Sequence, residues 1–230
     1  MRNIILIIIG FILTINLSAQ TSRKVIQLTG DISDKYPIVM TLNIENGKVF
    51  GFYYYEKYKT KILLVGQMTG NKFTLNESPD YESDFKTGFI GEIIDSNFIG
   101  NWVDKTKEKT LKCDLIINSE THANLTTDIL GIEGTYESIY NSEKYIGSVN
   151  LKNIAGDLFC FEISNGTESG CVGFLNGLVE LKELKSGIFS TQSCEKLEFQ
   201  LTSNELTVIE YNCDLHGMRC PFEGKYRKKE

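Results

Sequence analysis

The sequence contains little of what an enzyme or a metal site usually requires. Its 230 residues include only two histidines, His122 and His216, and a single tryptophan. Nucleophilic catalysis needs a base beside the nucleophile. No Gly-x-Ser-x-Gly elbow, Cys-x-x-Cys redox pair or phosphate-binding glycine loop accompanies these histidines. We therefore predict a protein that is not an enzyme and that uses no metal and no organic cofactor.

The sequence also lacks a long basic segment. It carries 24 lysines and arginines against 30 aspartates and glutamates, a formal net charge of −6 at pH 7. An acidic protein repels the phosphate backbone electrostatically. We therefore do not expect nucleic acid as a partner.

The N-terminus is typical of a secretory signal peptide. Arg2 precedes an apolar run from Ile4 to Leu13, and the small residues Ser18 and Ala19 follow. The apolar run is shorter than the roughly 20 residues that span a membrane. We expect cleavage after Ala19 or Gln20, a mature chain without a transmembrane segment, and a periplasmic or secreted location.

Helical periodicity is almost absent, and short alternating apolar runs occur instead. Ile38, Met40, Leu42 and Ile44 lie on one face of a candidate strand, and the Asn46-Gly47 pair that follows is a strong hairpin signal. Similar runs recur to the end of the chain, and consecutive short strands joined by tight turns pair with their neighbours. The predicted fold class is all-β, with two antiparallel up-and-down β-barrel or sandwich modules of about eight strands each.

The predicted boundaries follow from these patterns. Residues 1–20 are the signal peptide, 21–118 the N-terminal β module and 132–230 the C-terminal β module. Residues 119–131 read SETHANLTTDILG, which is polar and does not alternate, so we interpret them as a linker.

Six cysteines matter in an exported protein, because thiols tend to pair in an oxidising compartment. The pattern Cys213-x2-His216-x3-Cys220 supplies at most three metal ligands, whereas structural zinc usually takes four. We therefore predict a disulfide between Cys213 and Cys220 and interpret His216 as a turn residue.

The other four cysteines are less constrained by spacing. Cys171 and Cys194 flank a candidate strand pair, which favours a second bridge between them. Cys113 and Cys160 are left unresolved: they either bridge the modules or remain unpaired thiols, and we favour the second alternative.

A cluster of carboxylates is the strongest candidate for chemistry. Glu77, Asp80, Glu82 and Asp84 fall within NESPDYESD. A paired-carboxylate hydrolase or a weak calcium loop would fit these residues. A polar hairpin loop explains them more simply, and we prefer that interpretation.

Tyrosines indicate a candidate binding surface. On the strand that contains Phe50 and Phe52, the side chains of Tyr53 and Tyr55 point to the opposite face. Only one face of a half-buried sheet is core, so we predict that Tyr53 and Tyr55, with Tyr58 nearby, form an exposed binding surface. The alternative is that they cover the sheet or pack against the other module.

Two stretches resemble known protein groups. Cys213 to Tyr226 (CDLHGMRCPFEGKY) resembles a C-terminal motif, C-x2-H-G-x2-C-x-F-x-G-x-Y, of uncharacterised exported β-rich proteins of Gram-negative, Bacteroidota-type bacteria. Some of these occur near lysozyme-inhibitor-type domains. The glycine and aromatic spacing from Val49 to Trp102 is similar to that of avidin-like and lipocalin-like barrels. The resemblance implies an exported protein with a barrel-like fold and supplies no catalytic residue.

The sequence as a whole favours an exported, non-enzymatic binding or envelope-associated protein. Its ligand, whether protein or small molecule, stays unknown at this point. The alternatives are a lysozyme-inhibitor-like protein and a small-ligand carrier with a barrel cavity.

Overall fold

The computed structural model describes residues 23–77, 84–123, 125–217 and 220–229. The predicted signal peptide, and Asp80 and Glu82 of the carboxylate cluster, lie outside these ranges. Within the described part of the chain, no helix is long and apolar enough to cross a membrane.

The first half of the chain forms a closed antiparallel barrel of eight strands in sequence order, which we call the N-terminal barrel. Its strands are β1 (Lys24–Ile32), β2 (Tyr36–Glu45), β3 (Lys48–Tyr55), β4 (Ile62–Thr69), β5 (Lys72–Glu77), β6 (Thr87–Ile94), β7 (Asn97–Asp104) and β8 (Lys109–His122). The first and last strands pair along their length, with Ile32 opposite Cys113. The up-and-down barrel predicted from the sequence is confirmed.

Alternation and turn chemistry explain the barrel. Ile38, Met40 and Leu42 are fully buried on the inner face of β2, as expected for side chains two residues apart on a strand. Asn46 and Gly47 both have positive φ, 52° and 77°, which is the backbone that a two-residue hairpin turn requires.

The second half forms an eight-stranded antiparallel sheet, the C-terminal sheet, in the order β12-β11-β10-β9-β16-β15-β14-β13. Its strands are β9 (Gly134–Ser138), β10 (Tyr145–Ala155), β11 (Leu158–Thr167), β12 (Val172–Glu180), β13 (Ser186–Thr191), β14 (Cys194–Thr202), β15 (Glu205–Cys213) and β16 (Gly224–Lys228). Again the first and last strands pair. The two edges, β12 and β13, are consecutive in the chain.

A glycine inside β12 is required for packing. Asn176 and Gly177 both lie within this strand. A Cβ at Gly177 would lie 2.5 Å from the ring of Phe189 and 2.9 Å from that of Phe161.

The connection between the two halves is more ordered than the sequence suggested. β8 continues to His122, beyond residue 118, where we placed the end of the N-terminal module. A short helix, α1 (Thr127–Ile132), then begins after Thr126, whose side chain accepts a hydrogen bond from the backbone of Ile129. This is a standard N-cap. The polar composition of the segment did not predict the helix that it begins.

The two halves pack directly against each other. Phe50 and Phe52, on the outer face of β3, form a buried cluster with Ile154 and Leu158 of the C-terminal sheet. Beside this cluster, the guanidinium of Arg23 donates to both carboxylate oxygens of Glu133, at 2.7 and 2.9 Å. The contact therefore combines apolar burial with a buried ion pair.

The disulfide pairings predicted from spacing are wrong. The bonds are Cys171–Cys220 and Cys194–Cys213, not Cys213–Cys220 and Cys171–Cys194. Cys194 and Cys213 are directly opposite on the neighbouring strands β14 and β15. The segment after β15 then returns to the start of β12, which brings Cys220 to Cys171.

The remaining two cysteines, Cys113 and Cys160, are free thiols. Cys113 is fully buried inside the N-terminal barrel. Burial raises the pKa of each thiol to about 12. Both are therefore protonated and poorly nucleophilic at neutral pH.

Candidate ligand-binding site

The two ends of the N-terminal barrel differ. At one end the strands are joined by the turns 46–47, 70–71 and 95–96. At the other end lie the connections 33–35, 56–61 and 105–108 and the connection from Glu77 to Thr87. We call this second end the mouth.

Aromatic side chains fill the interior below the mouth. Phe73 and Phe98 are buried and meet edge to face, with ring centroids 6.1 Å apart. Higher up, Tyr53 packs on Phe89 in the same way, at 5.0 Å. Aromatic rings therefore pack the barrel interior at both of these levels.

A pocket of about 420 Å³ opens at the mouth, within the usual range for small-molecule sites. Ile32, Tyr55, Trp102 and Leu111 form its apolar wall. They come from four different strands, which the barrel brings together at one end. Tyr36 and Tyr58 extend this wall towards solvent.

A partly buried hydrogen-bond network holds Trp102 of the pocket wall. Oε1 of Glu77 accepts hydrogen bonds from the hydroxyl of Tyr53 at 2.5 Å and from the indole Nε1 of Trp102 at 2.6 Å. Burial, together with the negative charge of Glu77, raises the pKa of Tyr53 far above its usual range. Tyr53 is thus a neutral donor, and the two bonds fix the orientation of the Trp102 indole in the pocket wall.

Three lysines surround the opening of the pocket. Lys35, Lys57 and Lys109 also line the pocket, and each carries its ammonium group near an aromatic ring. They lie over the rings of Tyr36, Tyr58 and Trp102, at 5.3, 5.2 and 5.9 Å from the ring centroids. Such cation–π contacts are worth about 0.5–1 kcal/mol each at an exposed site.

None of these three ammonium groups forms an ion pair with a carboxylate of residues 23–77, 84–123, 125–217 or 220–229. Other lysines of the barrel form ion pairs: Lys24 pairs with Glu120, and Lys112 pairs with Asp114. Within those ranges, the ammonium groups of Lys35, Lys57 and Lys109 are therefore not neutralised by an ion pair.

The three predicted surface tyrosines have different positions. Tyr53 is only 1% exposed, so the expectation that it is exposed is wrong. Both faces of β3 are covered, the inner one by the barrel core and the outer one by the C-terminal sheet. Tyr55 is half-buried in the pocket wall, and Tyr58 is 67% exposed at the opening.

The structure describes two of the four residues of the predicted carboxylate cluster. Glu77 points into the barrel, and Asp84 is exposed at the surface. Among the residues that the structure describes, no group of three or more histidine, cysteine, aspartate or glutamate side chains is placed to hold a metal ion.

His216 and Phe222 of the C-terminal motif contact each other and Glu210 of β15. Nε2 of His216 lies 2.7 Å from Oε1 of Glu210, and Oε2 of Glu210 accepts the backbone N–H of Phe222 at 2.7 Å. The His216 ring packs edge to face on Phe222. Burial alone would lower the pKa of His216, but the hydrogen bond with Glu210 outweighs it and the pKa is raised. His216 is therefore held in place by Glu210 and by Phe222.

The sequence did not predict most of the residues that line the pocket. Lys35, Tyr36, Trp102 and Lys109 are distant in sequence and meet only when the barrel closes. One signal was present: Glu77 follows Phe73 and Leu75 at the next inward position of β5. A charged residue in that alternation indicates a polar partner inside the barrel.

Comparisons of this chain with protein-family models, with curated proteins and with solved structures gave no match. The resemblance noted for the C-terminal motif and for the glycine and aromatic spacing stays a prediction.

Proposed function

We propose that this is a non-enzymatic binding protein that holds a small ligand with an apolar or aromatic body at the mouth of its N-terminal barrel. The observation that carries the proposal is the pocket of about 420 Å³ between Tyr55, Trp102 and Leu111. Concave, largely apolar pockets with a few fixed polar groups are the usual form of small-molecule sites.

The side chains around the pocket suit binding better than catalysis. Glu77 already accepts two hydrogen bonds, and its partner Tyr53 is held neutral. The free thiol inside the barrel, Cys113, is buried and protonated.

The site of action that we propose is the periplasm or the extracellular space. One disulfide joins Cys194 of β14 to Cys213 of β15, and the other joins Cys171, which precedes β12, to Cys220 in the segment between β15 and β16. Disulfides of this structural kind persist in oxidising compartments. The N-terminal sequence supports export independently.

Trp102 provides a direct test, because it is the only tryptophan in the chain and it lines the pocket. The purified mature protein would be titrated with octanol, phenylpropanol, phenylpropanoate and phenylpropylamine while the tryptophan emission is recorded. We expect at least one of them to change the emission saturably, with one ligand bound per chain.

A matched pair of variants on β8 supplies the control. Leu111→Phe fills the pocket from the inner face, whereas Ile116→Phe adds the same ring on the outer face, where Ile116 is exposed. Binding should be lost in the first variant and kept in the second. If no probe changes the emission, or if both variants bind equally well, the mouth is not the site and the proposal fails.

A further inference from the structure

We infer that the ligand of this pocket is an anion: an organic acid whose charged group is held by Lys35, Lys57 and Lys109 while its apolar body packs on Trp102 and Leu111. This inference rests on the proposed function and specifies the chemical class of ligand for the same site. It follows from the arrangement of charge at the mouth.

The three lysines converge on the pocket from different parts of the chain. Lys35 precedes β2, Lys57 follows β3 and Lys109 begins β8. All three line the same opening. Three like charges around one pocket repel each other, and within the described ranges no carboxylate forms an ion pair with any of them. An acidic group bound between them would relieve that repulsion.

A cationic ligand fits the same pocket poorly, although aromatic rings and a carboxylate are present. Lysine ammonium groups already lie over Tyr36, Tyr58 and Trp102. A second cation would have to displace them. The carboxylate of Glu77 is engaged by the donors of Tyr53 and Trp102 beneath the apolar wall.

The pocket also limits the length and orientation of the ligand. The three lysines are exposed, whereas Ile32, Trp102 and Leu111 in the apolar wall are buried or half-buried. The acid should therefore face solvent, and the apolar body should point inward, towards the Trp102 indole that donates to Glu77. A short body such as a phenylpropyl group suits a pocket of about 420 Å³ better than a long chain.

Three probes with the same body and different head groups test the inference: phenylpropanoate, phenylpropanol and phenylpropylamine, titrated against Trp102 emission at neutral pH. We expect affinity to fall in that order. Since the lysines are exposed, added salt should weaken phenylpropanoate binding and leave phenylpropanol binding nearly unchanged.

The triple variant Lys35→Gln/Lys57→Gln/Lys109→Gln tests the assigned residues. An exposed ion pair contributes a few-fold in affinity, so the loss of three should weaken phenylpropanoate binding by about 10-fold or more. Phenylpropanol binding should stay within about 2-fold. The control, Lys72→Gln/Lys182→Gln/Lys225→Gln, removes the same charge from exposed positions away from the mouth and should alter neither probe.

The outcomes separate this inference from the proposed function. Equal binding of acid and alcohol, or an unchanged preference in the mouth variant, overturns the assignment of an anion but leaves a ligand site. Preference for phenylpropylamine overturns it in favour of Glu77 as the counter-ion. No response of Trp102 to any probe refutes both the site and its assigned chemistry.

Discussion

Replacement of Arg23 by methionine should weaken the contact between the N-terminal barrel and the C-terminal sheet. Arg23 is buried and donates to Glu133 at 2.7 and 2.9 Å and to the carbonyl oxygen of Asn153 at 3.2 Å. It also reaches Glu45 at 3.4 Å and lies over the ring of Phe50. Methionine keeps the packing of the side-chain stem but removes the charge and all of the donors.

The expected loss of stability depends on the Glu133 carboxylate that remains in the variant. In the variant, Glu133 remains buried and keeps the backbone N–H of Asn153 as its donor, at 2.6 Å. Breaking a buried ion pair by removing one partner costs about 3–5 kcal/mol, because the other charge is left uncompensated. In the double variant Arg23→Met/Glu133→Gln that charge is gone, and the amide oxygen still accepts from Asn153. Its cost should fall to about 1–2 kcal/mol.

Urea unfolding followed by far-ultraviolet circular dichroism and by Trp102 emission measures these free energies. The control is Arg227→Met, because the ion pair of Arg227 with Glu205 is exposed and should contribute at most about 1 kcal/mol. The reasoning is refuted if Arg23→Met destabilises no more than Arg227→Met. It is equally refuted if the double variant is no more stable than the single one.

Three further predictions concern a disulfide, a free thiol and the pairing of His216 with Glu210. Peptide mapping of the non-reduced protein should recover Cys171 joined to Cys220; a peptide joining Cys213 to Cys220 would contradict the fold of the segment after β15. Iodoacetamide at about pH 8 should alkylate the thiol of Cys113 only after unfolding, because burial raises its pKa to about 12; rapid labelling of the native protein would show an accessible thiol instead. The pKa of His216 is raised in the folded protein, so its pairing stabilises most below the unfolded value of about 6.5 and loses that effect as the pH rises through the folded value. The destabilisation caused by His216→Gln should therefore be larger at about pH 5.5 than at about pH 8.5, and equal values at both would contradict the pairing.

The strand architecture was predictable because it depends on local sequence. Inward side chains such as Ile38 and Met40 alternate with outward ones, and Asn46-Gly47 has the backbone that a hairpin turn needs. These signals lie within a few residues of each other. They are sufficient to predict an all-β fold with sequential pairing.

The errors arose where distant segments meet. Local alternation separates the faces of β3 but does not show that Ile154 and Leu158 cover the outer one, so Tyr53 was wrongly expected to be exposed. The Cys171–Cys220 bond likewise depends on the return of the C-terminal segment to β12. The pocket at the mouth is the extreme case, since Lys35 and Lys109 come together only through the pairing of β1 with β8 and β2.

Chemical-shift mapping of the isotopically labelled mature protein with phenylpropanoate tests the central claim most directly. The account predicts saturable changes at the indole N–H of Trp102 and at residues 33–36, 55–58 and 109–111, with one ligand bound per chain. Changes centred instead on the groove between the two halves, beside Glu45, Lys152 and Cys160, or on the C-terminal sheet would contradict the assignment of the mouth as the ligand site.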